Sequence, residues 1–169
     1  NFNFVNSTND GRDIRVYAAD DSTPLNFYIE SWDQGAETAT VWVKISSLAT
    51  GDSSIYLHYG DGSLTSQSDR ASTFPVFDSF TGASIDPRWT VTTGNGSISQ
   101  SGGALNFAYV GGEDNNWWTS KPEKILKLND MPAGNFHAEI LLGNYTPLDA
   151  THAGISVYGA DNSSYLWGR

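Results

Sequence analysis

The chain has 169 residues, no cysteine, and 19 acidic against 9 basic residues, giving a formal net charge of −10. That balance excludes the usual nucleic-acid binder, because phosphates are met by a basic face, and it disfavours anionic membranes for the same reason. Without cysteine there is no disulfide, no thiolate metal site and no cysteine nucleophile, while the length suffices for one ordinary domain or two small ones, each with a hydrophobic core.

No apolar run approaches the ~20 residues that cross a bilayer, and no basic-then-apolar leader follows Asn1. Membrane insertion is therefore not expected in this segment, and any leader or anchor is expected outside it. Aromatic residues at 13%, with abundant Gly, Ser, Thr and Asn, suit β-sheet with many turns. Period-two alternation runs from end to end with no stretch of ten or more residues at helical spacing, which predicts an all-β, antiparallel protein of the β-sandwich or jelly-roll kind.

In chain order, the first predicted strands are 14–18, 27–31, 40–45 and 54–59. They are separated by the turn-rich segments Ala19-Asp20-Asp21-Ser22-Thr23-Pro24, Asp33-Gln34-Gly35 and Thr50-Gly51-Asp52. The polar stretch from Gly60 to Thr73 reads as a connector, which places a domain boundary near residue 75 and divides the chain into modules 1–75 and 76–169. Beyond it the predicted strands are 76–80, 89–93, 97–100, 104–110, 117–121, 124–128, 136–142, 153–158 and 165–167. Their turns are marked by Gly94-Asn95-Gly96, Gly102-Gly103, Gly111-Gly112 and Gly159-Ala160-Asp161-Asn162, the last a hairpin signal.

Several motifs fall in an order that resembles a known family. Phe2-Asn3-Phe4, Asp10-Gly11-Arg12-Asp13-Ile14-Arg15, Pro24-Leu25, Ile29-Glu30-Ser31-Trp32, Val41-Trp42-Val43-Lys44 and Tyr56-Leu57-His58-Tyr59-Gly60 resemble domain of unknown function 2341, a module of secreted and cell-surface proteins, over residues 2–77. The leading strands usual in that module are not found before Phe2. Phe77-Asp78-Ser79-Phe80 and Ile85-Asp86-Pro87-Arg88-Trp89, with the later strands, resemble the opening of concanavalin-A-like jelly-roll domains over residues 77–169. Such a jelly roll needs more strands than that span supplies, so the expectation is a chain cut at both ends.

Alternation aims Val41, Val43 and Ile45 to one face and Trp42 and Lys44 to the other, and it opposes Ile55, Leu57 and Tyr59 to Tyr56 and His58. Extended to the other strands, it assembles an aromatic second face from Tyr17, Tyr28, Trp42 and Tyr56. That face is expected to pack on a neighbouring domain or on further strands, and is otherwise a platform for sugar rings. The cluster Glu113, Asp114, Asn115 and Asn116, followed by Trp117 and Trp118, combines carboxylates, amides and an aromatic, and is the candidate carbohydrate-binding loop.

Acidic turns raise a structural Ca²⁺ as the candidate cofactor, since that ion takes oxygen ligands. Asp10, Asp13, Asp20, Asp21, Asp61 and Asp78 are the candidates, with Glu113 and Asp114, and no convergent ligand set is evident. Sequons at Asn6, Asn95, Asn144 and Asn162 fit a glycosylated surface protein.

Catalytic patterns are missing. No Glu-x-Asp-x-x-Glu array, Gly-x-Ser-x-Gly elbow or paired histidine spacing occurs, and His58, His137 and His152 stand apart. The expected function is a non-catalytic carbohydrate-binding or adhesive module of a bacterial or archaeal protein, extracellular or at the cell surface, with glycans or neighbouring surface-protein domains as partners. The alternatives are a self-assembling structural subunit of an extracellular filament or envelope layer, and the binding part of a larger polysaccharide-degrading enzyme.

Overall fold

The computed structural model describes residues 2–48, 50–51, 53–93, 96–109, 125–130, 133–141, 143, 156–158 and 165–167. The chain forms two compact units, Asn1–Met131 and Pro132–Arg169.

The first unit contains a single 3₁₀ turn, Phe4–Asn6, ahead of β1 (Arg15–Tyr17), β2 (Phe27–Asp33), β3 (Thr38–Val43) and β4 (Tyr56–His58) among the described residues. A short helix α1 (Arg70–Thr73) follows, then β5 (Trp89–Thr92), β6 (Gly96–Ser101), β7 (Ala104–Tyr109) and β8 (Ile125–Leu128). In the second unit β9 (Ser156–Tyr158) and β10 (Tyr165–Trp167) pair antiparallel, the hairpin that the 159–162 signal predicts. The described strands pair antiparallel throughout, in five two-stranded ladders, β1–β4, β2–β3, β5–β8, β6–β7 and β9–β10. The protein is all-β.

Local chemistry explains the turns. Gly102 and Gly103 link β6 to β7 with φ of 60° and 78°, the paired positive φ that a two-residue type I′ hairpin demands. The strand expected over 76–80 does not form: Phe80 has φ of 51°, and its N–H donates to Asp78 Oδ1 at 2.8 Å, so an Asx turn interrupts the apolar alternation. Residues 136–141, also expected as strand, form none. Phe136, Ile140 and Leu141 are exposed there, without the burial that would reward pairing.

The core of the first four strands is Ile14, Val16 and Phe27, with Phe2, Leu25, Ile29, Trp32, Val41 and Val43 packed on it. A bulge shapes this core. Ile29 pairs with Val41 and Ser31 with Thr40, leaving Glu30 as the extra residue. Strict alternation would turn Trp32 outward with Tyr28 and Glu30. The bulge instead turns it inward, opposite Ala39 and in line with Ile29 and Val41.

The polar connector is part of the fold. Asp69 N–H donates to Phe27 O at 2.9 Å and Ile29 N–H to Ser68 Oγ at 2.8 Å, so residues 68–69 occupy the outer edge of β2. Arg15 Nη2 reaches Thr65 O at 2.9 Å, and Asn26 Nδ2 and Lys44 Nζ both donate to Ser72 O at 3.3 and 3.1 Å. The outer edge of β1 is likewise taken, by the bonds Leu25 N–H to Val16 O and Ala18 N–H to Thr23 O, each 2.8 Å.

Candidate functional site

The Asp10-to-Asp13 motif builds one wall of the site. Asp13 is 1% exposed. Its Oδ1 accepts from Ser7 Oγ at 2.7 Å, Thr8 N–H at 3.0 Å and Thr8 Oγ1 at 2.7 Å, and its Oδ2 accepts from Gly60 N–H at 2.7 Å. Burial alone would raise its pKa, but the hydrogen bonds from Thr8, Gly60 and Ser7 outweigh it and hold the carboxyl well below the usual carboxylate range. One buried charge thus joins the N-terminal turn, β1 and the end of the β4 segment.

Gly11 adopts φ of 68° and lies against the Trp32 indole so closely that a Cβ would stand 2.6 Å from Cε3. Two of the motifs singled out in the sequence therefore meet at one contact. Phe2 and Phe4 hold the same indole from the side, with ring centroids 5.5 and 5.2 Å away. Gln34 Nε2 donates to Phe4 O and Ser7 O, each at 2.8 Å, and fixes the β2–β3 turn to this wall.

Between these parts lies an apolar groove of about 330 Å³, lined by Phe2, Phe4, Ile14, Val16, Trp32, Ala39, Val41, Val43 and Leu57. Leu57 is 41% exposed, and Ile55 and Tyr59 are exposed beside it, although alternation predicts all three for the core. The difference has a structural cause: β4 pairs only with β1 and β3 only with β2 among the described residues, so neither strand has a neighbour on its outer edge to cover this side. Among the described residues the buried Trp32 Nε1 has no hydrogen-bond partner, and a buried donor left unmet costs stability.

The four residues of the predicted aromatic face are brought together in two cross-strand pairs, Tyr17 opposite Tyr56 and Tyr28 opposite Trp42. Tyr17 packs on His58 at 4.9 Å, and His58 Nε2 meets Asp21 Oδ1 at 2.7 Å. Phe74 covers the second pair, 5.9 Å from Tyr28 and 5.7 Å from Trp42, while Trp42 Nε1 donates to Glu30 Oε2 at 2.8 Å. Arg70 lies over the Tyr28 ring at 4.5 Å and over Phe77 at 5.6 Å. Sequence inspection did not single out Arg70, which falls in the polar connector, or Phe74 just after it, and Phe77 entered only through the Phe77-Asp78-Ser79-Phe80 resemblance. The available signal was Asp69, which caps α1 by accepting from Ala71 N–H at 2.9 Å.

The proposed calcium ligands are engaged one by one in turns. Asp10 accepts from Arg12 N–H at 3.2 Å, Asp20 from Ser22 and Thr23 N–H at 3.0 and 2.9 Å, and Asp61 from Ser63 N–H at 3.0 Å. These bonds lower each pKa, led by the Arg12 N–H for Asp10, the Thr23 hydroxyl for Asp20 and the Ser63 hydroxyl for Asp61. Asp78 Oδ2 accepts the indole N–H of Trp89 at 2.8 Å. Among the described residues no three acidic or histidine side chains converge as a metal would require.

Asn6 is exposed, while Ser7 of its sequon is buried and the Thr8 hydroxyl is committed to Asp13. Glu113, Asp114, Asn115, Asn116, Trp117 and Trp118 lie outside the described residues, as do Asn95, Asn144 and Asn162. Among the described residues no helix is long and apolar enough to cross a membrane.

No curated protein and no solved structure gives a significant match to the chain. Residues 10–92, from the Asp10-Gly11-Arg12-Asp13 turn through the groove-lining strands and the connector to the last residue of β5, match the family model described as Domain of unknown function (DUF2341).

Proposed function

We propose that the chain is a non-catalytic structural module of a secreted or cell-surface protein, which assembles by accepting an extended segment of a neighbouring chain into the groove beside β3 and β4. The observation that carries this reading is the coincidence of two unmet needs in one place: an open apolar lining and two strand edges without neighbours among the described residues. An added strand meets both, because its backbone pairs with an edge and its alternate side chains fill the groove. The edge sequence agrees. Thr38-Ala39-Thr40-Val41-Trp42-Val43 carries no charge and no proline, the guards that ordinarily keep strand edges apart. In an acidic chain, a neutral edge is also where two copies approach with least repulsion.

The test is light scattering behind size exclusion across a wide concentration range. Mass that rises with concentration, together with slow amide exchange along β3 in the assembled form, is the expected result. A monomer at every concentration overturns self-assembly.

Carbohydrate recognition is the second reading, favoured by the rings of Tyr28, Trp42, Phe74 and Phe77 gathered with a guanidinium on the outer face of β2–β3. On this reading the 77–169 part, with its likeness to concanavalin-A-like jelly rolls, supplies further glycan contacts from Trp117 and Trp118. Binding of the chain to a glycan array checks it, and monomeric behaviour with glycan binding favours it over assembly.

A further inference from the structure

Four arginines lie among the described residues, and three of them hand their donors to the protein. Arg12 reaches Gly62 O at 3.4 Å and Asp10 at 3.8 Å. Arg15 reaches Arg12 O, Ile14 O and Thr65 O at 3.1, 2.6 and 2.9 Å, and Arg88 reaches Phe77 O and Asp86 at 3.3 and 3.2 Å. Arg70 differs. Its guanidinium is held over the Tyr28 ring at 4.5 Å and the Phe77 ring at 5.6 Å, and among the described residues it makes no ion pair and no side-chain hydrogen bond.

A guanidinium over aromatic rings makes no hydrogen bond to them, so its N–H donors stay available to another acceptor. The two ring contacts restrain the exposed side chain and reduce the freedom lost when its fork meets a planar, bidentate acceptor. The nearby acids do not take that place. Glu30 is engaged by the Trp42 indole, and Asp69 by Ala71 N–H and the Ser72 hydroxyl. Half-buried rings of Tyr28, Trp42, Phe74 and Phe77 surround the position, and such rings pack against the apolar faces of sugars.

We propose that Arg70 is the carboxylate-binding donor of a subsite for a uronic-acid residue of an acidic glycan, with the adjoining aromatic rings packing against the sugar. The proposal rests on the carbohydrate reading and is independent of strand addition at the groove, which lies on the opposite face of β2–β3. The chain's charge of −10 opposes an anion at long range. Screening over about 8 Å at physiological ionic strength confines that opposition, so the contact charge of Arg70 governs the encounter.

The experiment is calorimetric titration of the full chain with trigalacturonic acid, with its methyl ester, and with maltotriose. The acid should bind at least tenfold more tightly than its ester. Arg70→Gln should lose that preference, and Arg70→Lys should keep part of it, since a lysine retains the charge without the fork. Equal binding of acid and ester overturns the assignment of a carboxylate subsite while leaving the carbohydrate reading intact. So does acid binding unchanged in Arg70→Gln. Binding of none of the three sugars overturns both. The acid–ester comparison uses the unaltered protein, so it decides the matter even where Arg70→Gln fails to fold, as circular dichroism would reveal.

Discussion

The two flanks of the 2–76 region are built from the same short strands and finished in opposite ways. On one flank, residues 23–25 bond to the edge of β1, residues 68–69 bond to the edge of β2, and Asp13 ties the N-terminal turn to Gly60. On the other flank, β3 and β4 end in edges without partners among the described residues, over an apolar groove. Two-stranded ladders are marginal by themselves, so each flank needs something beyond its strands. The closed flank has a buried polar knot and irregular segments serving as strands. The open flank has exposed Leu57, Ile55 and Tyr59, the residues that an added strand would cover. Substitutions on the two flanks should therefore separate: those on the closed flank act on folding, and those on the open flank act on association.

The largest effect is expected at Gly11→Ala. A positive φ costs a residue with a Cβ about 1 kcal/mol, and overpacking against a ring held by Phe2 and Phe4 adds about 2 kcal/mol more. The loss of about 3 kcal/mol is read from urea denaturation, and it is a large part of an ordinary domain's stability. A Gly11→Ala protein as stable as the parent would mean that Trp32 is free to move, and the contrast between flanks would fail.

Asp13→Asn follows, at about 2–3 kcal/mol near neutral pH. Every partner of Asp13 is a donor, so an amide places its NH₂ group against an N–H or a hydroxyl. The pH dependence has a definite sign. The folded-state pKa lies below the unfolded value of about 3.9, so the contribution is complete above that value and is lost as pH falls toward the folded-state pKa. The parent should lose stability on acidification below about pH 4, and the gap between parent and Asp13→Asn should narrow in the same window. Asp20 titrates in the same direction in both proteins and cancels in the difference between the two curves, which then reports Asp13 together with the smaller change at Asp61, whose pKa the Asp13 charge raises.

How far this was legible from the sequence depends on the kind of interaction. Period-two alternation located β1 to β4 within a few residues, because one buried face suffices to write that pattern. It grouped Tyr17, Tyr28, Trp42 and Tyr56 on one face but could not say which strands pair, and the partners Tyr17–Tyr56 and Tyr28–Trp42 belong to two separate ladders. Trp32 escaped it, because a single extra residue at Glu30 reverses every later side chain and nothing in Ile29-Glu30-Ser31-Trp32 announces a bulge. The acids were legible as turn residues and not as individuals: Asp13 and Asp20 look alike in sequence, yet one is buried under four donors and the other sits exposed in its turn. Arg70 could be placed only with long-range contacts in hand, because Tyr28 and Phe77 come to it from both sides of the connector.

A smaller effect on stability is expected at Trp32→Phe, the residue shared by the two flanks. The change removes packed ring area but also deletes a buried N–H that has no acceptor among the described residues, and the two consequences oppose each other. A net loss of about 1 kcal/mol is expected, well under that of Gly11→Ala, with thermal denaturation as the measurement. Association should weaken as well, because the indole is part of the groove lining that an added strand would cover. If Trp32→Phe assembles as the parent does, the indole is not part of the docking surface.

The smallest effect on folding belongs to Thr40→Lys, and it separates the flanks most cleanly. Thr40 is exposed on β3, pairs with Ser31 just after the bulge, and points away from the row of Ala39, Val41 and Val43 that lines the groove. A lysine there meets water, so the monomer should change by no more than about 0.5 kcal/mol. At a strand edge, however, the added charge acts as the guard that β3 lacks, since pairing would force it beside a neighbouring backbone and, in a two-fold pair of β3 strands, close to its own copy. The dissociation constant measured by sedimentation should rise at least tenfold while the denaturation midpoint stays put. Were the midpoint to fall instead with association unchanged, β3 would be contributing to the fold and not to a partner, and the groove would have to be completed along β4.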